Sequence, residues 1–158
     1  MASPFPAVVF DLDGTLTSPG TTRPVPGVVA LVEALRDRGV PLAVATSASV
    51  PVARRVLDEL GVGTCFSSVA GRGVDGCFAG KDAVVGEALL GLGMTDAEPG
   101  TPLVGDSPAD LHAAAAHALV PVGVSWGGAS PDALRAAGAV AVLDHPDELW
   151  SLSERPAS

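Results

Sequence analysis

Two aspartates stand one residue apart at the end of an apolar run, in Val8-Val9-Phe10-Asp11-Leu12-Asp13-Gly14-Thr15. Burial strips hydration from each ionised carboxylate and leaves the pair repelling each other, so a folded core has no use for them alone. A metal ion or phosphate chemistry would explain them. More polar groups follow apolar runs further along: Thr46-Ser47 after Leu42-Ala43-Val44-Ala45, and Asp106-Ser107-Pro108-Ala109-Asp110 after Pro102-Leu103-Val104-Gly105. Lys81, at an expected helix start, adds a cation. Carboxylates are oxygen ligands of the kind Mg²⁺ takes, together with water and a substrate phosphate. A lysine and a hydroxyl can hold the remaining phosphate charge, and backbone amides around Asp13 to Thr15 can add hydrogen bonds. With that charge neutralised, an aspartate can attack phosphorus and be freed later by water. Taken singly these groups have ordinary explanations: Thr46 and Ser47 as helix caps, Lys81 as a solvated lysine, Asp110 as an acidic residue in a helix's first turn.

The elements that would position them alternate between apolar runs and helical repeats, the pattern of an α/β fold with a parallel sheet. A strand is expected over 7–11. A polar connector, 14–26, follows, and its Thr15, Thr17, Ser18, Thr21 and Thr22 suit a surface loop or small hairpin and not a core element. Val28, Leu31, Val32 and Leu35 recur at helical spacing before a stop at Gly39. Pro41 to Ala45 reads as a strand buried on both faces. The second helix carries Val52, Val56 and Leu60 on one side, with Arg54, Arg55, Asp58 and Glu59 exposed. A third strand is expected within 64–69 and a turn over 71–76. Lys81 and Asp82 open a helix bearing Val85, Ala88, Leu89 and Leu92, and 102–105 is a fourth strand. Pro108 suits the first turn of a helix capped by Ser107 or Asp106, with Leu111, Ala114, Ala115 and Ala118 inward. Strands over 120–125 and 139–143, a helix from Ser130-Pro131 and a last turn or two over 146–152 complete the pattern. In open parallel sheets ligands gather beyond the carboxyl ends of the strands, which is where these polar groups would meet.

The stretch Asp11-Leu12-Asp13-Gly14-Thr15 resembles the first motif of the haloacid dehalogenase superfamily. Thr46 after its apolar run, Lys81, and Gly105-Asp106-Ser107-Pro108-Ala109-Asp110 resemble the second, third and fourth, in that superfamily's order. The later Gly123-Val124-Ser125-Trp126-Gly127, Ala137-Gly138-Ala139 and Pro146-Asp147-Glu148-Leu149 are similar to the phosphoglycolate phosphatase branch, whose usual proline after the lysine is here Asp82. The resemblance implies a three-layer, Rossmann-like core with a central, mostly parallel sheet and helices on both faces. It implies Asp11 as nucleophile and Mg²⁺ ligand. Asp13 would be general acid and base, and would reach the metal through its carbonyl. Gly14, Thr46, Ser47 and Lys81 would serve the phosphate, and Asp106 would complete the metal site. Asp110 would either support that site or orient Lys81.

Members of that branch usually carry a helical cap inserted between the first two motifs. Residues 14–45 leave no room for one, and residues 48–80, the other customary insertion point, are equally full. An open site needs cover from elsewhere, either a neighbouring subunit or a substrate large enough to be its own lid. The expectation is thus a capless, Mg²⁺-dependent phosphatase of a small monoester, phosphoglycolate- or sugar-phosphate-like, in one domain over 1–152 with a frayed tail, 153–158. A phosphatase of macromolecules and a non-catalytic phospho-ligand module are the alternatives. A net charge of −9 works against nucleic acid and anionic membrane as partners. No segment is apolar enough to span a bilayer and no leader is evident, which points to the cytoplasm. Cys65 and Cys77 read as small buried hydrophobes, His112, His117 and His145 as surface or packing residues, and Trp126 as either lining the site or packing at the core or rim.

Overall fold

The computed structural model describes residues 3–73 and 79–153, so Cys77, the end of the turn expected over 71–76 and most of the expected frayed tail lie outside the described residues. The strands β1 (Val8–Phe10), β2 (Leu42–Ser49), β3 (Ser68–Arg72), β4 (Pro102–Gly105), β5 (Val120–Val124) and β6 (Ala141–Leu143) form one sheet. Its order is β3-β2-β1-β4-β5-β6, and every pairing is parallel. The order reverses direction at β1, so a crevice opens beside its carboxyl end, where Asp11 and Asp13 follow.

Alternation along the strands sends side chains to two separate cores. Val8, Phe10, Leu42, Val44 and Val104 face the helices α1 (Val28–Asp37) and α2 (Val50–Glu59). Val9, Ala43, Ala45, Ala70 and Leu103 face α3 (Lys81–Gly91) and α4 (Pro108–Ala116). A short α5 (Pro131–Ala136), a 3₁₀ turn at Pro146–Leu149 and α6 (Trp150–Ser153) close the chain. The second face is built from smaller residues, which lets its helices lie close. A Cβ on Gly123 would press on Leu134 of α5, and one on Gly105 would collide with the Asp110 side chain.

Helix α1 buries the four residues its spacing predicts and ends with Gly39 at φ 77°. Four expectations need correction. The connector is not all surface, because Thr15, Leu16 and Thr17 are buried and their amides bond to the Leu12 carbonyl at 2.9–3.2 Å; the rest closes as a small hairpin through a Thr17–Pro24 bridge. Helix α2 buries Ala53 and Leu57, while Val52 is exposed and Val56 and Leu60 only half-buried. The third strand begins at Ser68 and runs through Gly71 and Arg72; Thr64 and Cys65 belong instead to a 3₁₀ turn, Gly63–Cys65. Helix α4 buries Asp110, Leu111, Ala113 and Ala114 and ends at Ala116, leaving Ala115 and Ala118 exposed.

Candidate active site

Strand β1 stops where its next residue must face the crevice. The Asp11 amide still bonds to the Val104 carbonyl of β4 at 2.9 Å, which holds the carboxylate at the sheet's carboxyl edge. Asp106 follows β4 next to it. On the other side β2 continues past Ala45, so Thr46 lies within the strand; its Oγ1 accepts the Ala48 amide at 3.1 Å. The cap of α2 is therefore neither Thr46 nor Ser47 but Ser49, whose hydroxyl accepts from the Val52 amide. Ser47 is exposed on the site's rim.

Lys81 begins α3, and its ammonium reaches back under the sheet edge. Nζ donates to Asp11 Oδ1, to the Ala45 carbonyl and to Asp110 Oδ1, each at 2.8 Å. All three donors of the ammonium have a partner, so its position is fixed. Asp110 is held in turn by a capping box at the start of α4: its Oδ2 accepts from the Ser107 amide and hydroxyl at 3.3 and 3.0 Å, and Ser107 accepts the Asp110 amide. Asp110 thus pairs with Lys81 and also lies in one acidic group with Asp11 and Asp106.

Asp13 is exposed and accepts the Gly20 amide at 2.9 Å, which ties the connector to the site. Gly14 has φ 81°, and a side chain there would collide with Asp106. Gly127 packs against the same carboxylate, and the Gly128 amide donates to it at 3.4 Å. Trp126 is half-buried, and its indole N–H donates to the Thr15 carbonyl at 3.0 Å, bracing the loop that carries Asp13 and Gly14. The Trp126–Thr15 bond spans 111 residues of sequence. Thr15 Oγ1 is buried and has no hydrogen-bond partner among the described residues.

The charges explain one another. Burial and then the charge of Asp110 push the Asp11 carboxyl well above the usual carboxylate range, with Lys81 opposing and a hydrogen bond to Asp106 adding to the rise. Burial pulls the Lys81 ammonium down, but Asp11 and Asp110 outweigh it and hold the lysine charged. Facing carboxylates can bond to each other only by sharing a proton, and a cation can take that proton's place. Oxygens of Asp11, Asp106 and Asp110 lie within 4.8 Å of one another, with one lysine against three carboxylates. An all-oxygen donor set with surplus negative charge fits a hard divalent cation such as Mg²⁺. Asp11 and Asp106, with Asp110 beside them, are the carboxylates that could hold it.

Residues 18–118 match the family described as haloacid dehalogenase-like hydrolase. The chain belongs to the haloacid dehalogenase-like hydrolases. The matched span contains Thr46, Lys81, Asp106 and Asp110, and Asp11 and Asp13 lie just before it. Among individual members, tyrosine-protein kinase PtkA of Mycobacterium tuberculosis is 40% identical over 101 residues, 64% of this chain and 34% of PtkA. The "Probable phosphatase IndB" of Dickeya dadantii is 31% identical over 141 residues, 84% of this chain and 60% of IndB. The chain thus spans about a third of the length of the first of these relatives. A crystal structure of a predicted phosphatase from Clostridium acetobutylicum shares the fold with a TM-score of 0.84 at 22% identity, covering 93% of this chain and 97% of that one. This haloacid dehalogenase-like chain carries no inserted domain in the described residues between Asp13 and Thr46, where α1 and its flanking loops fill the space.

Proposed function

We propose that the chain is a Mg²⁺-dependent phosphomonoesterase working through an aspartyl-phosphate on Asp11. The observation that carries this reading is the Lys81–Asp11 ion pair at 2.8 Å in a cluster of three carboxylates, Asp11 and Asp110 buried and Asp106 half-buried. A structural salt bridge has no use for the surplus acids, whereas a nucleophile beside a cation does. Asp11 and Asp106, with the Asp13 carbonyl, would hold the Mg²⁺, which when bound would neutralise phosphate charge. In the first step an Asp11 oxygen forms a bond to phosphorus as the ester P–O bond breaks. Asp13, exposed at the mouth, gives the departing oxygen its proton. In the second step Asp13 takes a proton from water, whose oxygen attacks phosphorus and frees Asp11 and inorganic phosphate. Thr46 would hold a phosphoryl oxygen through its hydroxyl, while Lys81, kept in place by Asp11, Ala45 and Asp110, offsets phosphoryl charge from where it sits. Phosphate release from a panel of monoesters, lost with Asp11→Asn or on chelation of Mg²⁺, tests the reading; no release from any ester with Mg²⁺ present overturns it.

A neighbouring copy over the open mouth would exclude water from the reaction, and a solution mass above that of one chain tests that part. The 40% identity to a protein named a tyrosine kinase favours a second reading, in which the acceptor is a tyrosine hydroxyl instead of water. This chain contains no tyrosine, so that acceptor would belong to another molecule. Transfer from ATP to a tyrosine-containing peptide, exceeding hydrolysis to free phosphate, would favour it.

A further inference from the structure

The phosphoryl site opens sideways into a second, larger space. A cavity of about 700 Å³ lies beside the depression that holds Asp11 and Lys81, and Asp13, Thr46 and Ser47 border both. Asp13 is the group proposed to protonate the departing oxygen, so the atoms beyond that oxygen enter the larger space. Its exposed wall is mostly apolar by area, with Leu12, Val52 and Val56 among the lining residues beside six threonines and serines. Helix α2 explains this wall: its core face is Ala53 and Leu57, yet it carries a second apolar face, on which Val52 stays 43% exposed and Val56 half-buried. An uncovered valine beside a reactive centre is wasted on solvent but useful against an apolar ligand. Arg72 also borders the cavity and holds an interaction of its own.

We propose that the leaving group of the substrate has an apolar body, an aryl or bulky alkyl alcohol, seated against Val52, Val56 and Leu12. This rests on the phosphatase reading and narrows it. A two-carbon acid such as glycolate would leave most of the apolar wall wet, and its carboxylate would lose hydration beside it. An aryl ester would instead cover Val52 and gain the burial of both surfaces.

Calorimetric titration of the full chain in Mg²⁺ with phenylphosphonate and methylphosphonate, neither of which can be hydrolysed, tests the assignment. Phenylphosphonate is expected to bind at least tenfold more tightly. That ratio is expected to fall below threefold in Val52→Asn, and to fall in the isosteric Val52→Thr, which keeps the helix's shape should the asparagine disturb it. A ratio near one in the unaltered chain, no binding of phenylphosphonate, or a ratio that survives both substitutions overturns the proposal. If the preference is present but neither phenyl phosphate nor any other ester is turned over, the phosphatase reading fails and the cavity assignment stands.

Discussion

At the scale of single residues, Asp11 sits where burial and a neighbouring carboxylate both oppose its charge. Asp11 is buried against Asp110 and Asp106, and its carboxyl is raised well above the usual range, so ionising it in the metal-free fold is unfavourable. A group whose folded pKa is raised contributes stability that is complete below the unfolded value, near 3.8 for this carboxyl, and lost as pH rises through the folded one. Asp11→Asn removes that loss. It is expected to raise the thermal midpoint of the metal-free protein, with the gap over the unaltered chain widening as pH rises above about 4. The same substitution is expected to lower phosphate release by more than about 10³-fold, because a nucleophile and its partners act as a unit. Calorimetric melts across pH and a phosphate assay check the two halves separately. Thr15 offers a complementary case. Its hydroxyl is buried without a partner among the described residues, and leaving such a group unsatisfied costs about 1–3 kcal/mol. Thr15→Val keeps the shape and is expected to raise the melting midpoint; a lower midpoint would mean that the hydroxyl finds a partner.

At the scale of elements, the site depends on how α3 and α4 begin. Ser107 caps α4 and grips Asp110, which in turn holds Lys81, so one hydroxyl links a helix end to the reactive ammonium. Ser107→Ala is expected to cost about 0.5–2 kcal/mol as a lost cap, read by denaturant titration. It is also expected to lower kcat more than it raises KM, since Asp110 then holds Lys81 less firmly while Lys81 keeps its charge. Elements of this kind were largely legible in the sequence. The fourth strand has the bounds its apolar run predicts, and α1 buries the four residues its spacing selects. Where the reading failed, a physical reason is visible. Helix α4 is rich in alanine, and a row of identical small residues carries no direction, so the inward face was set by packing under β4 and β5. Helix α2 was misread because its valines outrank Ala53 in hydrophobicity, although they face a cavity and the alanine faces the core. Thr15 and Thr17 looked like surface residues, but the turn at Leu12 satisfies their amides and draws them inside. Acidic residues placed just after apolar runs lead to the expectation that Asp11 and Asp106 meet, and their oxygens do lie within 4.8 Å of each other. Trp126 is expected to line the site or to pack, but its bond to Thr15 and the approach of Gly127 and Gly128 to Asp106 have no local signal in the sequence.

At the scale of the whole molecule, a formal net charge of −9 adds to a local excess of carboxylates at the sheet's carboxyl edge. A divalent cation that binds only the folded chain stabilises it by mass action, by about 2.7 kcal/mol at a hundred times its dissociation constant. Mg²⁺ is therefore expected to raise the melting midpoint in a saturable way at fixed ionic strength, and less so in Asp11→Asn. General screening of the acidic surface would be matched by monovalent salt and would not saturate. Asp11 follows one of the two central strands and is buried, while Asp13, two residues on, stays exposed, so the two carboxylates span the boundary between core and solvent. The brace from Trp126 to Thr15 has an optical consequence. The chain holds two tryptophans and no tyrosine, and the other indole, Trp150, lies under Arg38 and beside Phe5. Its intrinsic fluorescence thus comes from two indoles, one hydrogen-bonded to the loop of the reactive aspartates and one stacked beneath a guanidinium, so a ligand that moves that loop can be followed without any attached dye.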